Sequence, residues 1–367
     1  MKFKLLSKLG ICFCVMSLLP VGTVFATDDL VKRQSNSDVG IRFEDSGNSG
    51  GGGGGGGVNP EPKVASVVLA SGEKYTDILT SAVLANEKNA SILLTQINNI
   101  GLPTLEEIDR LKVKDIIIVG GEDSVSKNVE ILINNYGKKT KSSYKITRLA
   151  GSDRYETAVK VGNEVRKITK KLEDSVLVDG TNFSDIITIS SYASQRRIPI
   201  LLTEPKKINP TTYESLYRWG INNVTIGGGY NSVSAFIEKD LEDFKKIRFA
   251  GSDRYETATV IGEELRKLTG NKTDLALVDG TNFPDGITIN PLAADIGAPI
   301  LLTNPKKLTD ITRSKIKDWK IEKVIIGGGY DSVSKEVQNQ LSTLKSERIS
   351  GKDRYDTAIK ISQRLRK

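Results

Sequence analysis

The chain of 367 residues has no histidine, and its two cysteines, Cys12 and Cys14, fall within the first 26 residues. Past that point it carries neither imidazole nor thiol. Disulfides, thiolate metal sites, Cys-His nucleophiles and Ser-His-Asp triads are excluded there, and neither a metal nor a cofactor is expected. Aromatic residues are scarce, 6% against 38% hydrophobic, so small aliphatic cores are expected rather than large aromatic ones. Beyond residue 26 no apolar run reaches the roughly 18 residues of a membrane-spanning helix, and no membrane contact is expected of that part.

The one long apolar run stands at the start. Lys2, Lys4 and Lys8 lead into Leu9 to Leu19 and Pro20, and Val24-Phe25-Ala26 has the small-residue pattern of a cleavage site. Residues 1–26 read as a secretory signal, too short and wrongly flanked for a stable span. Cys12 precedes most of the run rather than following it, which argues against a lipoprotein. The net charge is +8, and +5 without the three leader lysines. Residues 27–57 sum to −2, which leaves about +7 on the remainder. Outside a cell, a basic body suits an anionic surface polymer sooner than nucleic acid, although lysine-rich solubility gives the same sum.

Residues 27–63 are polar and include the glycine run Gly50 to Gly57 before Val58-Asn59-Pro60-Glu61-Pro62. Polyglycine buries no side chain and has high backbone entropy, so this stretch reads as a flexible tether. From Val64 the sequence repeats itself. "LVDGTNFSD" at 177 returns as "LVDGTNFPD" at 277 and, more loosely, as "LASGEKYTD" at 69. "IGGGYNSVS" and "IGGGYDSVS" match "IVGGEDSVS". "GSDRYETA" stands at 151 and 251, and "GKDRYDTA" at 351. The units expected are 64–169, 170–269 and 270–367, each closed by the octapeptide and its helix.

Within the second unit, "SVLVDG", "IPILLT" and "VTIGGG" are short apolar runs with glycine or polar stops, the pattern of buried strands. Helices are expected over 185–197, over 209–219 with Gly220 as a stop, over 232–245 and from Asp253 onward. Alternating strands and helices imply right-handed crossovers and a parallel sheet covered on both faces. Each unit is therefore expected to be a small Rossmann-like α/β domain.

Repeated polar residues cluster at strand ends and at the octapeptide. Asp153 and Glu156 have the spacing of a capping box. That accounts for the acids but not for Arg154 and Tyr155, or their copies Arg254, Tyr255, Arg354 and Tyr355. Arginine at fixed positions grips a carboxylate or a phosphate, so an inter-unit contact and a ligand contact both stay open. Asp179, Asp279, Asp185, Asp285, Thr203, Thr303 and the arginines Arg148, Arg248 and Arg348 lie at or near strand ends. There, open parallel sheets bind ligands and glycine-rich turns admit anions. Helix capping and tight turns explain the same residues. The glycine runs match neither a dinucleotide fingerprint nor a P-loop. Paired acids would permit glycoside hydrolysis, but an enzyme needs one good site, whereas three near-equal copies suit avidity.

Taken together, "RLAGSDRYETA", "LVDGTNFSD", "IPILLT" and "IGGGYNSVS" resemble the cell-wall-binding type 2 repeats of Clostridia and related Gram-positive bacteria. The resemblance implies three Rossmann-like modules packed as an intramolecular pseudo-threefold trimer. It also implies non-covalent, non-enzymatic attachment of a secreted protein to an anionic, teichoic-acid-like wall polymer, with S-layer proteins as further partners. A carbohydrate-active wall enzyme and an S-layer scaffold acting through protein contacts are the alternatives. Copy one departs from the pattern, with Ser71 for the strand-end Asp, Tyr75 for Phe183 and Glu122 for Tyr230. It is expected either to bind more weakly or to serve mainly in completing the trimer.

Overall fold

The computed structural model of the protein describes residues 66–366. The leader, the tether and Val64 as the start of order lie outside the described residues. Four strands make each unit. They are β1 (Ser66–Ser71), β2 (Ser91–Thr95), β3 (Asp115–Val119) and β4 (Lys145–Leu149) in the first. The second has β5 (Asp174–Asp179), β6 (Ile200–Thr203), β7 (Asn223–Gly227) and β8 (Lys245–Phe249). The third has β9 (Asp274–Asp279), β10 (Ile300–Thr303), β11 (Lys323–Gly327) and β12 (Lys345–Ile349).

The sheets are ordered β2-β1-β3-β4, β6-β5-β7-β8 and β10-β9-β11-β12, and every pairing is parallel. Parallel neighbours need crossover connections, and helices supply them, so the Rossmann-like reading of each unit holds. The strand order reverses between the first and third strands of each unit. In such sheets the crevice beyond the strands' carboxyl ends at that reversal is the usual ligand position.

Three differences from expectation have local causes. The helix expected over 232–245 shortens to Ala235–Asp240, because Lys245 already pairs with Asn223 as the start of β8. The first unit has a longer connection and keeps a helix over Lys127–Thr140 at the matching place. In the third unit the helix after β9 divides into Pro284–Thr288 and Asn290–Asp295, since Pro291 has no N–H to continue the ladder.

Alternation along the strands assigns the two faces of the first two sheets. Val68 and Ala70 of β1, and Val176 and Val178 of β5, join a core shared by all three units. Val67 and Leu69 face a separate cluster of the first unit, and Leu177 one of the second. This is the period-2 signature of strands buried on both faces.

The helices opened by the octapeptides are Arg154–Thr169, Arg254–Thr269 and Arg354–Leu365. Each packs against the following unit's second strand: the first on β6, the second on β10, and the third back on β2. Val159 is thus buried with the outer core of the second unit, and Ile359 with that of the first. The joint is tight. A Cβ on Gly162 would stand 2.7 Å from Trp219 Cη2, and one on Gly262 2.8 Å from Trp319 Cη2. Arg166 and Arg266 lie over these indoles at 4.8 and 4.6 Å and donate to the tryptophan carbonyls. At the third joint, Ser362 donates to the buried Glu107, whose carboxylate also accepts from Arg110. The joints form a closed cycle of contacts, with the chain's last helix completing its first sheet.

Candidate functional site

Each octapeptide starts its helix as the spacing predicted. The Asp153 carboxylate accepts from Glu156 N at 2.8 Å, and Glu156 returns a bond from Ser152 N at 2.7 Å. The backbone donor at Ser152, with Lys160 alongside, pulls the Glu156 carboxyl down to about 2. Gly151 is required because the first turn folds onto it: a Cβ there would be 2.4 Å from Glu156 Cβ.

Arg154 and Tyr155 grip the next unit. Arg154 Nη1 donates to the carbonyl of Gly180 at 2.7 Å, Arg254 Nη1 to Gly280 at 2.6 Å, and Arg354 Nη1 to Gly72 at 2.5 Å. The paired tyrosines lie flush on the same glycines. A Cβ on Gly180, Gly280 or Gly72 would approach Cε1 of Tyr155, Tyr255 or Tyr355 to 3.0, 2.8 or 2.7 Å. The glycine that ends the first strand of a unit is therefore the seat of its predecessor's Arg-Tyr pair. Burial raises the phenol pKa at all three tyrosines. Nearby, Tyr75, Phe183 and Phe283, one from each unit, cluster with ring centroids 5.3 to 6.3 Å apart.

The strand-end residues divide into two groups. Asp179 and Asp279 turn inward, and each Oδ1 accepts from the amide and hydroxyl of Thr181 or Thr281 at 2.7 Å. Thr203 and Thr303 are fully buried and bond carbonyls of their own following loops. Arg148, Arg248 and Arg348 hold the glycine turn after the third strand, donating to Gly120, Gly228 and Gly328 carbonyls at 2.7, 2.6 and 2.7 Å. These groups shape loops.

Asp185, Asp285 and Asp77 instead form the floor of a cleft. Their carboxylates accept from Ser232, Ser332 and Ser124 at 2.8, 2.7 and 2.5 Å. They sit under Gly228, Gly328 and Gly120, which have positive φ of 103°, 101° and 119°. A Cβ on Gly228 would fall 2.3 Å from Asp185 Oδ2, so both backbone angle and space require glycine. Burial raises the pKa of Asp185 and Asp285, partly offset by the serine hydroxyls.

One wall of each cleft is the glycine turn and the other is the octapeptide. In the second unit, Asn182, Asp185, Tyr230, Ser232, Ser252 and Arg254 line a cavity of ≈ 500 Å³. The first-unit cleft, ≈ 450 Å³, has Lys74, Asp77, Glu122, Asp123 and Arg154. The third, ≈ 150 Å³, has Asn282, Asp285, Asp331, Lys352 and Arg354. Each arginine thus lies on a cleft wall while its Nη1 holds the neighbouring unit. Ser232, Asn182 and the Ser252/Lys352 pair were not singled out from sequence, although they lie in repeated segments, and Tyr230 stood out only as the position at which copy one has Glu122. Among the described residues, no group of three or more acidic side chains is placed to hold a metal ion, and no helix is long and apolar enough to cross a membrane.

Comparison with known proteins gives the following matches. The family model "Cell wall binding domain 2 (CWB2)" matches residues 43–130, 148–238 and 248–338. The N-acetylmuramoyl-L-alanine amidase LytC of Bacillus subtilis is 31% identical over 277 residues, 76% of this chain and 53% of that protein. The amidase enhancer of the same organism is 32% identical over 260 residues, 66% of this chain and 35% of that protein. The chain therefore spans about half or less of these relatives. Among solved structures, Cwp6 and Cwp8 from Clostridium difficile match at 25% identity with TM-scores of 0.64 and 0.63. They cover 81% and 77% of this chain, and 43% and 48% of their own.

Proposed function

The chain belongs to the cell wall binding domain 2 family, and from that premise we propose that it is a secreted, non-enzymatic anchor that holds the wall polymer of a Gram-positive bacterium in its three clefts. The cycle of inter-unit contacts is, on this reading, a pseudo-threefold trimer over units 64–169, 170–269 and 270–367. The observation that carries the proposal is the repetition of one cleft at the carboxyl ends of three sheets. Three weak sites on one chain bind a repeating polymer with avidity.

The lining chemistry suits a hydroxylated chain bearing anionic groups. Carboxylates, amides and hydroxyls accept and donate to sugar hydroxyls, while Arg154, Arg254 and Arg354 supply positive charge. The basic body, about +7 beyond residue 57, attracts a negative polymer over longer range. Binding is favoured over catalysis because Asp179 is engaged by Thr181 and Asp185 by Ser232. The amidase activity named for the relative is not carried over, since about half of that protein is unmatched.

The test is sedimentation of the protein with purified Gram-positive walls, before and after removal of their anionic polymer. Binding should fall on removal and weaken with added salt. Equal binding to stripped walls would refute the polymer as ligand, and release of soluble sugar by the protein would establish the enzymatic alternative.

A further inference from the structure

In the second and third units, the glycine turn that forms one cleft wall carries a tyrosine laid on an arginine. The Tyr230 ring lies 4.4 Å from Arg248 Cζ, and the Tyr330 ring 4.3 Å from Arg348 Cζ. The arginines are fixed from below. Arg248 donates to the Gly228 and Val233 carbonyls and to Glu238, and Arg348 to the Gly328 and Val333 carbonyls and to Gln338. The tyrosines nonetheless remain 61% and 56% exposed. One face of each ring rests on a guanidinium and the other stays open to solvent.

Such a ring is pre-ordered, so a ligand that stacks on it costs little side-chain entropy. Tyr230 also borders the cleft that contains Asn182, Asp185, Ser232 and Ser252. A sugar ring presents an apolar C–H face and a hydroxyl-bearing rim, which this pairing of aromatic face and polar lining complements. In the first unit Glu122 takes the tyrosine's place and pairs with Lys127 at 3.2 Å. The seat beneath survives there: Arg148 still bonds the Gly120 carbonyl and Glu130.

We infer that Tyr230 and Tyr330 are stacking platforms for a sugar ring of the wall ligand, Tyr230 on the wall of the second cleft and Tyr330 on the turn whose Gly329 and Asp331 line the third, a contact the first unit lacks. The inference rests on the wall-anchoring reading. It is tested by sedimentation isotherms on purified Gram-positive walls. Tyr230→Ala and Tyr330→Ala should each weaken binding by about 3- to 10-fold, and the double variant more. The double Tyr→Phe variant should bind within about twofold of the parent, since the ring face is kept. Glu122→Tyr should tighten binding by restoring a platform over Arg148. Melting temperatures should match the parent throughout, because these rings lie on the surface. A parent that binds, with a double alanine variant that binds equally well, overturns the platforms and leaves the anchor standing. A double phenylalanine variant as weak as the alanine one overturns stacking in favour of the hydroxyl. A parent that does not bind walls at all refutes the anchor and the platforms together.

Discussion

Substituting Gly72 by alanine tests the ring closure directly. The added Cβ would stand 2.7 Å from Tyr355 Cε1 and 3.2 Å from Arg354 Cδ, against a comfortable carbon-carbon contact of roughly 3.5–4.0 Å. The ring of Tyr355 is wedged against the shared core, so the misfit of about 1 Å is an overpacking cost of about 1–3 kcal/mol. Gly72 does not have a positive φ, so alanine also stabilises by about 0.4–1 kcal/mol through the unfolded chain. The net loss should lower the melting temperature by roughly 2–8 °C. In a Tyr355→Ala background the obstacle is gone, and the same substitution should become neutral or stabilising. The assay is thermal melting of the parent, both single variants and the double, read as a cycle. Residues 72 and 355 are 283 positions apart in sequence. An equal cost of Gly72→Ala in both backgrounds would refute the contact and with it the closure of the last helix on the first unit.

Other consequences can be measured separately. A chain ending at Ser350 should lose hydrogen-exchange protection in β1 and β2, more than in β9 and β10, because Ile359 is buried in the first unit's core. Arg254→Gln removes the charged bond to the Gly280 carbonyl and should cost about 1.5–3 kcal/mol in urea denaturation. Burial raises the pKa of Asp185 above its ordinary 3.8. The folded state therefore holds this proton to higher pH than the unfolded chain, and stability falls as pH rises through that window. Asp185→Asn should accordingly melt above the parent at about pH 7 and converge with it below about pH 4. Convergence absent, or a lower melting temperature at neutral pH, would contradict the assigned burial penalty.

Much of the architecture was legible in the sequence. Apolar runs "SVLVDG", "IPILLT" and "VTIGGG" form strands β5, β6 and β7 of the second unit, as the periodicity predicted. Asp153, Asp253 and Asp353 cap helices as their spacing required. The aspartates six residues beyond the strand ends proved to be cleft floors, whereas Asp179 and Thr203, equally prominent as letters, hold loops. Side-chain direction at a strand end depends on the turn that follows, and a repeated letter does not report it. Tyr230 was visible only as a difference between copies. Its stacking on Arg248, 18 residues away, depends on the glycine turn after β7 folding over strand β8.

By itself, the sequence determined three α/β units, their order, and the glycine and acid positions that local backbone geometry demands. Only the tertiary structure decided which sheet each octapeptide helix covers. A helix with an apolar stripe must bury it somewhere, but the stripe does not name its partner. The partner is selected by matching shapes contributed from the following unit, or from the first unit at the closing joint: Trp219 against Gly162, Trp319 against Gly262, and Tyr355 against Gly72. Arg154 and Tyr155 make their inter-unit contact in the same way, while Arg154 also lines a cleft. They hold the following unit because its strand ends in a glycine that leaves room for them.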